Sequence, residues 1–513
     1  MAEVSRTARV IQNAKVALFF YCINLILQFF SRKIFLDCLG AELLGLNTTA
    51  QNLLQFLNLA ESGIGAAVAF ALYKPLSQGN RQEIIDIVSL QGWFYRWVGL
   101  FVIAGSLVLM AFFPWIFSKA QVPIIYAYGT FIAFLISALL GYFVNYKIVV
   151  LSADQKEYVV TIETQGIKVI KVFVQMLAIW KLPNGYIWWM TIEFIAAILT
   201  AIRLDHRIKK EYSWLRTKTS KGKLLDIQYP QVLIKTKQLF FHKIGGFVFW
   251  QSTPLIIYGF TSLTWVAIYG NYFILMVGCL MLVDAVCRGL NAGVGNLVAE
   301  GDTNLIKKIF WHIVTARLFL AGLICSGIFS LSETFVILWV GEEYVLPKLP
   351  LIVMITIFFV QMTRTSDIFL SAYGLFQDTW APFVESILNV FLSILFGYFW
   401  DLTGILLGVL ISQLIIVNSW KPYFLYRQGF KQDVYEYVVF YSQKIILVLI
   451  TTFFSTYVFN IMHSVNSSSL AGWLVSAISF FVIYILIGAL CFFACDSSFR
   501  SIVARILNFV KNA

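Results

Sequence analysis

The stretch "ESGIGAAVAFALYKPLSQGNRQEI", residues 61–84, runs from a helix of small residues through Tyr-Lys-Pro into a Gly-Asn turn and a charged segment. The chain returns to the same plan at "CRGLNAGVGNLVAEGDTNLIKKI", residues 287–309. Both lie in a chain of 513 residues that is 60% apolar, 17% aromatic and only 12% charged, with a mean hydropathy of +0.81. That composition excludes a water-soluble domain.

Apolar runs of about 20 residues recur from end to end, each long enough to cross a hydrocarbon core of roughly 30 Å. We read fourteen spans, at about 14–36, 43–72, 86–112, 123–146, 158–180, 185–204, 240–260, 264–286, 309–332, 349–372, 380–399, 403–420, 440–460 and 471–494. The first has no small-residue cleavage site and is too long for a signal-peptide core, so it is expected to stay as a span. Most of the 38 Lys and Arg fall in cytoplasmic segments if the N-terminus is inside. Their densest cluster runs from Arg203 to Lys243, and the outer loop "SETFVILWVGEEYVLPK" is acidic apart from Lys348. An even number of spans returns the C-terminus to the inside. The net charge of +12 then reads as attraction to the anionic inner leaflet, about 1 kcal/mol per basic residue near it, and not as a nucleic-acid partner. The seven Cys have no metal-ligand spacing, so we expect reduced, structural thiols and neither metal nor cofactor.

The echo extends beyond one turn. Gly63, Gly79 and Arg96 match Gly289, Gly301 and Arg317, on spans two–three and eight–nine. A shift by an even number of spans preserves direction, which predicts parallel repeats about an axis along the membrane normal. The expected fold is therefore an all-α polytopic membrane protein with two six-helix lobes, residues 1–205 and 240–428. A basic cytoplasmic linker, 206–239, joins them, and 429–513 adds two more helices and the C-terminus. The linker carries "YPQVLIKTKQLFF", expected as an amphipathic helix on the inner surface, serving as a lobe connector or as a dock for biosynthetic enzymes.

Polar stripes inside spans carry the functional reading, because a lipid-facing surface has no use for them. Span two aligns Asn47, Gln51, Gln55, Asn58 and Ser62 within roughly 80° of arc, and span five does the same with Thr161, Thr164, Lys168, Lys171 and Gln175. Span eleven offers Glu385 and Asn389. Lys168 and Arg96 each lie about ten residues from the cytoplasmic end of their span, hence about 15 Å deep. A central Lys or Arg costs roughly 2.5–3.5 kcal/mol on insertion scales, so the Lys168–Lys171 face asks for a purpose. It reads as an anion site, for which phosphate suits both side chains. The structural alternative is an interhelical pair with Glu163, Glu193 or Glu61. Arg96 and Arg317 read equally as cavity cations, both buried, or as pins between lobes. Glu61, Asp284 and Arg288 read as gating or structural pairs near the cytoplasmic ends, and His242 and His312 as interface residues. The amide stripe of span two suits a hydroxyl-rich cargo such as sugar.

The order "LGAELLGLN", "NLAESGIGAAV", "LYKPLSQGNRQEI", "KTKQLFFHKIGG", "AIYGNYFILM" and "GVGNLVAEGD" resembles the bacterial polysaccharide-biosynthesis flippases, over about the first 430 residues. Their superfamily also holds the multidrug and toxic compound extrusion transporters and the lipid II flippase. The resemblance implies transfer of an undecaprenyl-diphosphate-linked oligosaccharide repeat unit from the inner to the outer leaflet of a bacterial plasma membrane. It implies alternating access between lobes, with no chemistry performed, and pathway partners such as a polysaccharide polymerase and glycosyltransferases. By position, Arg32 resembles a cavity cation of the lipid II flippase. The chain departs from many of these relatives in span seven, where Ser252-Thr253-Pro254 stands in place of Thr-Asp-Asn. If that acid couples ions in the relatives, this chain does without it; Pro254 offers a kink for a gate instead. Two other readings stay open: an ion-coupled drug or metabolite antiporter depending on Glu61 or Glu385, and a membrane-embedded glycan polymerase. The longest outer loop offers the polymerase only Glu342 and Glu343.

Overall fold

The structure is a computed structural model. It describes the backbone of residues 6–375, 377–378, 380–462 and 469–512. The side chains of 6–8, 10–11, 241–243, 245, 249, 282, 284–292, 296, 299 and 506–512 lie outside that description, and with them His242, Asp284 and Arg288. Among the described residues there are helices and turns and no strand. Among the described residues, ten helical segments are long and apolar enough to cross a membrane. Two of the ten, Gln12–Gln78 and Trp380–Phe430, are 67 and 51 residues long, and both are broken internally. The chain forms an all-α polytopic membrane protein, as its composition requires.

Two compact units divide it, Met1–Ala267 and Ile268–Ala513. In the first, α1 (Arg6–Asn58), α2 (Ile64–Gln78), α3 (Arg81–Ala111), α4 (Phe113–Ile116), α5 (Ile124–Phe143), α6 (Val149–Ala153), α7 (Glu157–Lys181), α8 (Gly185–Glu211), α9 (Gly222–Gln228) and α10 (Pro230–Phe260) follow in order. Helix α1 changes direction at Gly40, whose φ of +82° only glycine adopts without strain. The second apolar span is likewise not one helix: a 3₁₀ turn at Leu59–Glu61 and Gly63, at φ +98°, separate α1 from α2. The long α7 packs on α1 and on α8. The amphipathic stretch expected on the inner surface is instead the first part of α10, which continues unbroken through Pro254 to Phe260.

In the second unit, α11 (Leu263–Glu300, starting in the first), α12 (Thr303–Trp339), α13 (Lys348–Met362), α14 (Thr365–Ala372), α15 (Trp380–Gln413), α16 (Lys421–Phe424), α17 (Tyr435–Met462), α18 (Leu470–Cys495) and α19 (Ser497–Asn512) follow. A buried cluster around Phe310, Phe369, Tyr426 and Phe430 ties α12 and α14 to the segment after α15, and Phe492 brings in α18. The two echoed turns share a local geometry. Gly79 and Gly301 both take positive φ, +66° and +82°, and the next residue caps the following helix. Asn80 accepts from the Glu83 amide, and Asp302 from those of Asn304 and Leu305.

Helix α15 folds back at Trp400–Asp401, where Asp401 takes φ +44°. The return limb approaches so closely that a Cβ on Gly404 would stand 1.9 Å from the Phe396 carbonyl oxygen, and one on Gly408 2.3 Å from the Ser393 nitrogen. This is small-xxx-small packing, in which glycine is the contact surface itself. Gly408→Ala should therefore destabilise the detergent-solubilised protein by about 1–3 kcal/mol. Gly166→Ala, in open space on α7, should leave the melting temperature unchanged or raise it. Equal melting curves for the two variants would contradict this packing.

Candidate polar sites within the helices

On the first unit, the α7–α8 seam gathers several charged side chains. Lys171 Nζ lies 2.7 Å from Glu193 Oε1. Gln175 Nε2 donates to the other Glu193 oxygen at 3.0 Å and to the Trp189 carbonyl at 3.1 Å. The pair is nearly closed to its surroundings, with side-chain exposures of 19% and 13%. Nearer the start of α7, Glu163 is buried and held by Arg203 at 3.1 Å and Arg207 at 3.6 Å. Lys168 is different: it is exposed and, among the described residues, makes no hydrogen bond or ion pair. The stripe read as one face thus separates into a paired cation, Lys171, and an available one, Lys168.

The amide stripe separates in the same way. Asn47 is buried and accepts from Tyr186 Oη at 2.6 Å, while Tyr186 and Thr130 share a bond of 2.5 Å, joining α1, α8 and α5. Asn58 accepts from Tyr142 at 2.9 Å, and Thr164 returns its hydroxyl to the Val160 carbonyl at 2.8 Å. Gln51 is exposed and Gln55 half-buried, so these two keep amides to offer. Glu61 lies in the 3₁₀ break against Tyr142 and Tyr95. Arg32 donates to the Ala267 carbonyl at 3.0 Å, which caps a backbone group and does not leave its guanidinium idle. Ser252, Thr253 and Pro254 are all buried.

One expectation needs correcting. Arg96 is exposed on α3, beside exposed Trp97, and is not a buried residue; Arg317 on α12 is buried, with its Nε unpaired. The same sequence position thus meets two environments, because α3 turns that face away from its neighbours while α12 is packed on α13, α17 and α18.

On the second unit, Asn389 is fully buried and accepts a long, 3.5 Å bond from Ser393, which also donates to the Ile405 carbonyl across the α15 fold. Glu385 is buried, and the charges acting on it are Arg364, Lys421 and Asp367. Those three form a network that the sequence reading missed. Between α13 and α14 the helix breaks at Thr363 and Arg364. Arg364 donates to Asp367 at 2.7 Å and to Gln361 at 3.0 Å, and Lys421 reaches the other Asp367 oxygen at 2.5 Å. The signal was present as "TRTSD", residues 363–367, a charged turn inside an apolar span. A second missed network lies in the first unit: Asp154 holds Arg9 and Lys156 and accepts from Tyr212 at 2.7 Å. Burial, and then the Asp154 carboxylate, push the Tyr212 phenol well above its ordinary pKa.

Comparison with solved structures places this architecture. A lipid II flippase, MurJ, in an inward closed conformation superposes with a TM-score of 0.62 at 13% identity, covering 94% of this chain and 99% of that one. An inward-facing multidrug resistance transporter of the MATE family, in the MOP superfamily, superposes with a TM-score of 0.57 at 11% identity, covering 80% and 97%. Both are transporters or flippases, and neither is an enzyme. No family model matches the chain, and no curated protein sequence does. The likeness is one of fold: the chain shares its architecture with these two solved structures.

The Lys171–Glu193 geometry has a direct consequence for mutagenesis. Lys171→Ala should destabilise by up to about 3–5 kcal/mol, because it strands a carboxylate among helices. Lys171→Met combined with Glu193→Gln should recover most of that loss, and Lys168→Ala should stay within about 0.5 kcal/mol of wild type. Thermal unfolding in one detergent, read as a double-mutant cycle, checks all three; additive losses at 171 and 193 would dissolve the pair.

Proposed function

We propose that this protein is a flippase that moves a polyprenyl-diphosphate-linked oligosaccharide from the inner to the outer leaflet of a bacterial plasma membrane, for assembly of a surface polysaccharide. The observation that carries the reading is Lys168, a cation at about mid-depth in the membrane that no structural pair uses, on a fold like that of a lipid II flippase. A lysine there is costly unless an anion visits it, and a diphosphate is such an anion. Gln51 and Gln55 keep free amides for sugar hydroxyls. Counting the two folded-back segments twice and adding α7 and α10 supports fourteen crossings, with both termini cytoplasmic by the placement of basic residues. Transport would proceed by alternating access, with a polymerase and glycosyltransferases as pathway partners. Arg96, being exposed, is available to the same anion.

A second reading, an ion-coupled antiporter, draws support from the MATE-like fold and from buried Glu385 beside the Arg364–Asp367–Lys421 network. Lipids extracted from a strain deleted for this chain separate the two. A flippase predicts accumulation of one complete repeat unit on polyprenyl diphosphate, seen by mass spectrometry. Wild type should clear it and Lys168→Ala should not. The single variant is the right probe, since changing Lys171 as well would disturb Glu193. An unchanged lipid pool would select the antiporter, and unpolymerised units already on the outer leaflet would select a polymerase.

A further inference from the structure

A cavity of about 710 Å³ in the second unit lies where α12, α17, α18 and the start of α19 meet. None of its lining residues enters the transport proposal. By the placement of basic residues this end of the helices is cytoplasmic. Its polar end holds Lys308, His312, Ser497, Ser498 and Ser501. A knot fixes its floor: Lys444 is bonded to Asp496 and donates to Thr315 at 2.7 Å, and Thr315 donates to Asp496 at 2.9 Å. Asp496 also caps α19 through the Ser498 amide at 2.8 Å, so neither its charge nor the helix terminus is left over.

Charge in the cavity is unbalanced. His312 is only 7% exposed and makes no hydrogen bond among the described residues. The charged groups acting on it are Arg505, Lys308, Asp496 and Lys444, three cations against one carboxylate that Lys444 already neutralises. The other wall is apolar and open: Phe440, Ile446 and Ile450 are 42%, 56% and 41% exposed, along the α17 surface that continues into the hydrocarbon region. Helix α19 repeats apolar residues at 499, 502, 503, 506, 507 and 510 and carries Arg500, Arg505 and Lys511, the pattern of a helix lying in the interface. Phe499 anchors it against Phe319 and Phe492, with ring centres 5.4 and 5.6 Å away.

We infer that this cavity is a binding site for an anionic phospholipid of the cytoplasmic leaflet, its phosphate among Lys308, His312 and the serine hydroxyls and its acyl chains along Ile446 and Ile450. A soluble phosphate would leave the apolar wall unused, and a zwitterionic lipid would leave the excess positive charge unmatched. The site is separate from the Lys168 region and stands whatever cargo the protein moves.

Native mass spectrometry of the full-length protein in detergent tests this with phosphatidylglycerol, phosphatidylcholine and inorganic phosphate as probes. Wild type should retain phosphatidylglycerol in preference to phosphatidylcholine. Lys308→Ala, a change at an exposed position that leaves the fold intact, should weaken retention about fivefold, the share of one basic residue at a membrane surface. His312→Gln should weaken it as well, and Lys237→Ala, at a basic position of the first unit outside the cavity lining, should not. Retention of phosphatidylcholine equal to phosphatidylglycerol would overturn the site. So would unchanged retention by Lys308→Ala, or displacement of the lipid by millimolar inorganic phosphate.

Discussion

In hydrocarbon no water is present to satisfy a peptide group, so each backbone donor and acceptor must find its partner within the protein. The rest of this structure follows from that constraint. It makes every long element a helix, and it confines departures from helicity to places where other groups replace the lost bonds. The breaks at Leu59–Glu61 and at Thr363–Arg364 illustrate it. At the first, Glu61 sits against two tyrosines; at the second, Arg364 and Asp367 bond across the gap and Lys421 joins them. Polar side chains thus cluster where helices are interrupted, and there a transporter has both its charge and its freedom to bend.

The same constraint explains what could be read from the sequence. Apolar run length is set by bilayer thickness and is a property of one segment at a time, so the all-helical membrane class was legible without tertiary information. A polar stripe is likewise a property of one helix, and the arc holding Lys168, Lys171 and Gln175 was legible too. Partners were not. Lys171 and Glu193 lie on different helices, and whether their faces meet depends on the rotation of α8 against α7, which no periodicity within either helix records. Asn47 is the clearest case. It reads as a cavity amide by its place in the stripe, yet it accepts from Tyr186, which a neighbouring helix brings to it.

Arg96 and Arg317 show a further limit. Matched positions in an echoed sequence share local geometry, as the left-handed Gly79 and Gly301 and their Asx caps do, because a turn is built from the residues within it. They need not share surroundings. Arg317 lies on a face of α12 that its packed neighbours cover, whereas Arg96 lies on a face of α3 that α2, α5 and α9 leave open. Burial is therefore the property that an internal repeat transmits least faithfully.

Cost distinguishes the functional charges from the structural ones. A buried ion pair such as Lys171–Glu193 is self-consistent: each member removes the other's reason to seek a ligand, and Gln175 completes the carboxylate's bonds. An intramembrane lysine without a partner gains nothing for the folded protein and loses hydration, so its retention needs a ligand to meet the loss. Lys168, beside that closed pair, is exposed and makes no ion pair among the described residues, which is the property the proposed anion site draws on. Both charges of the pair act on Lys168, and that of Lys171 adds to its positive field.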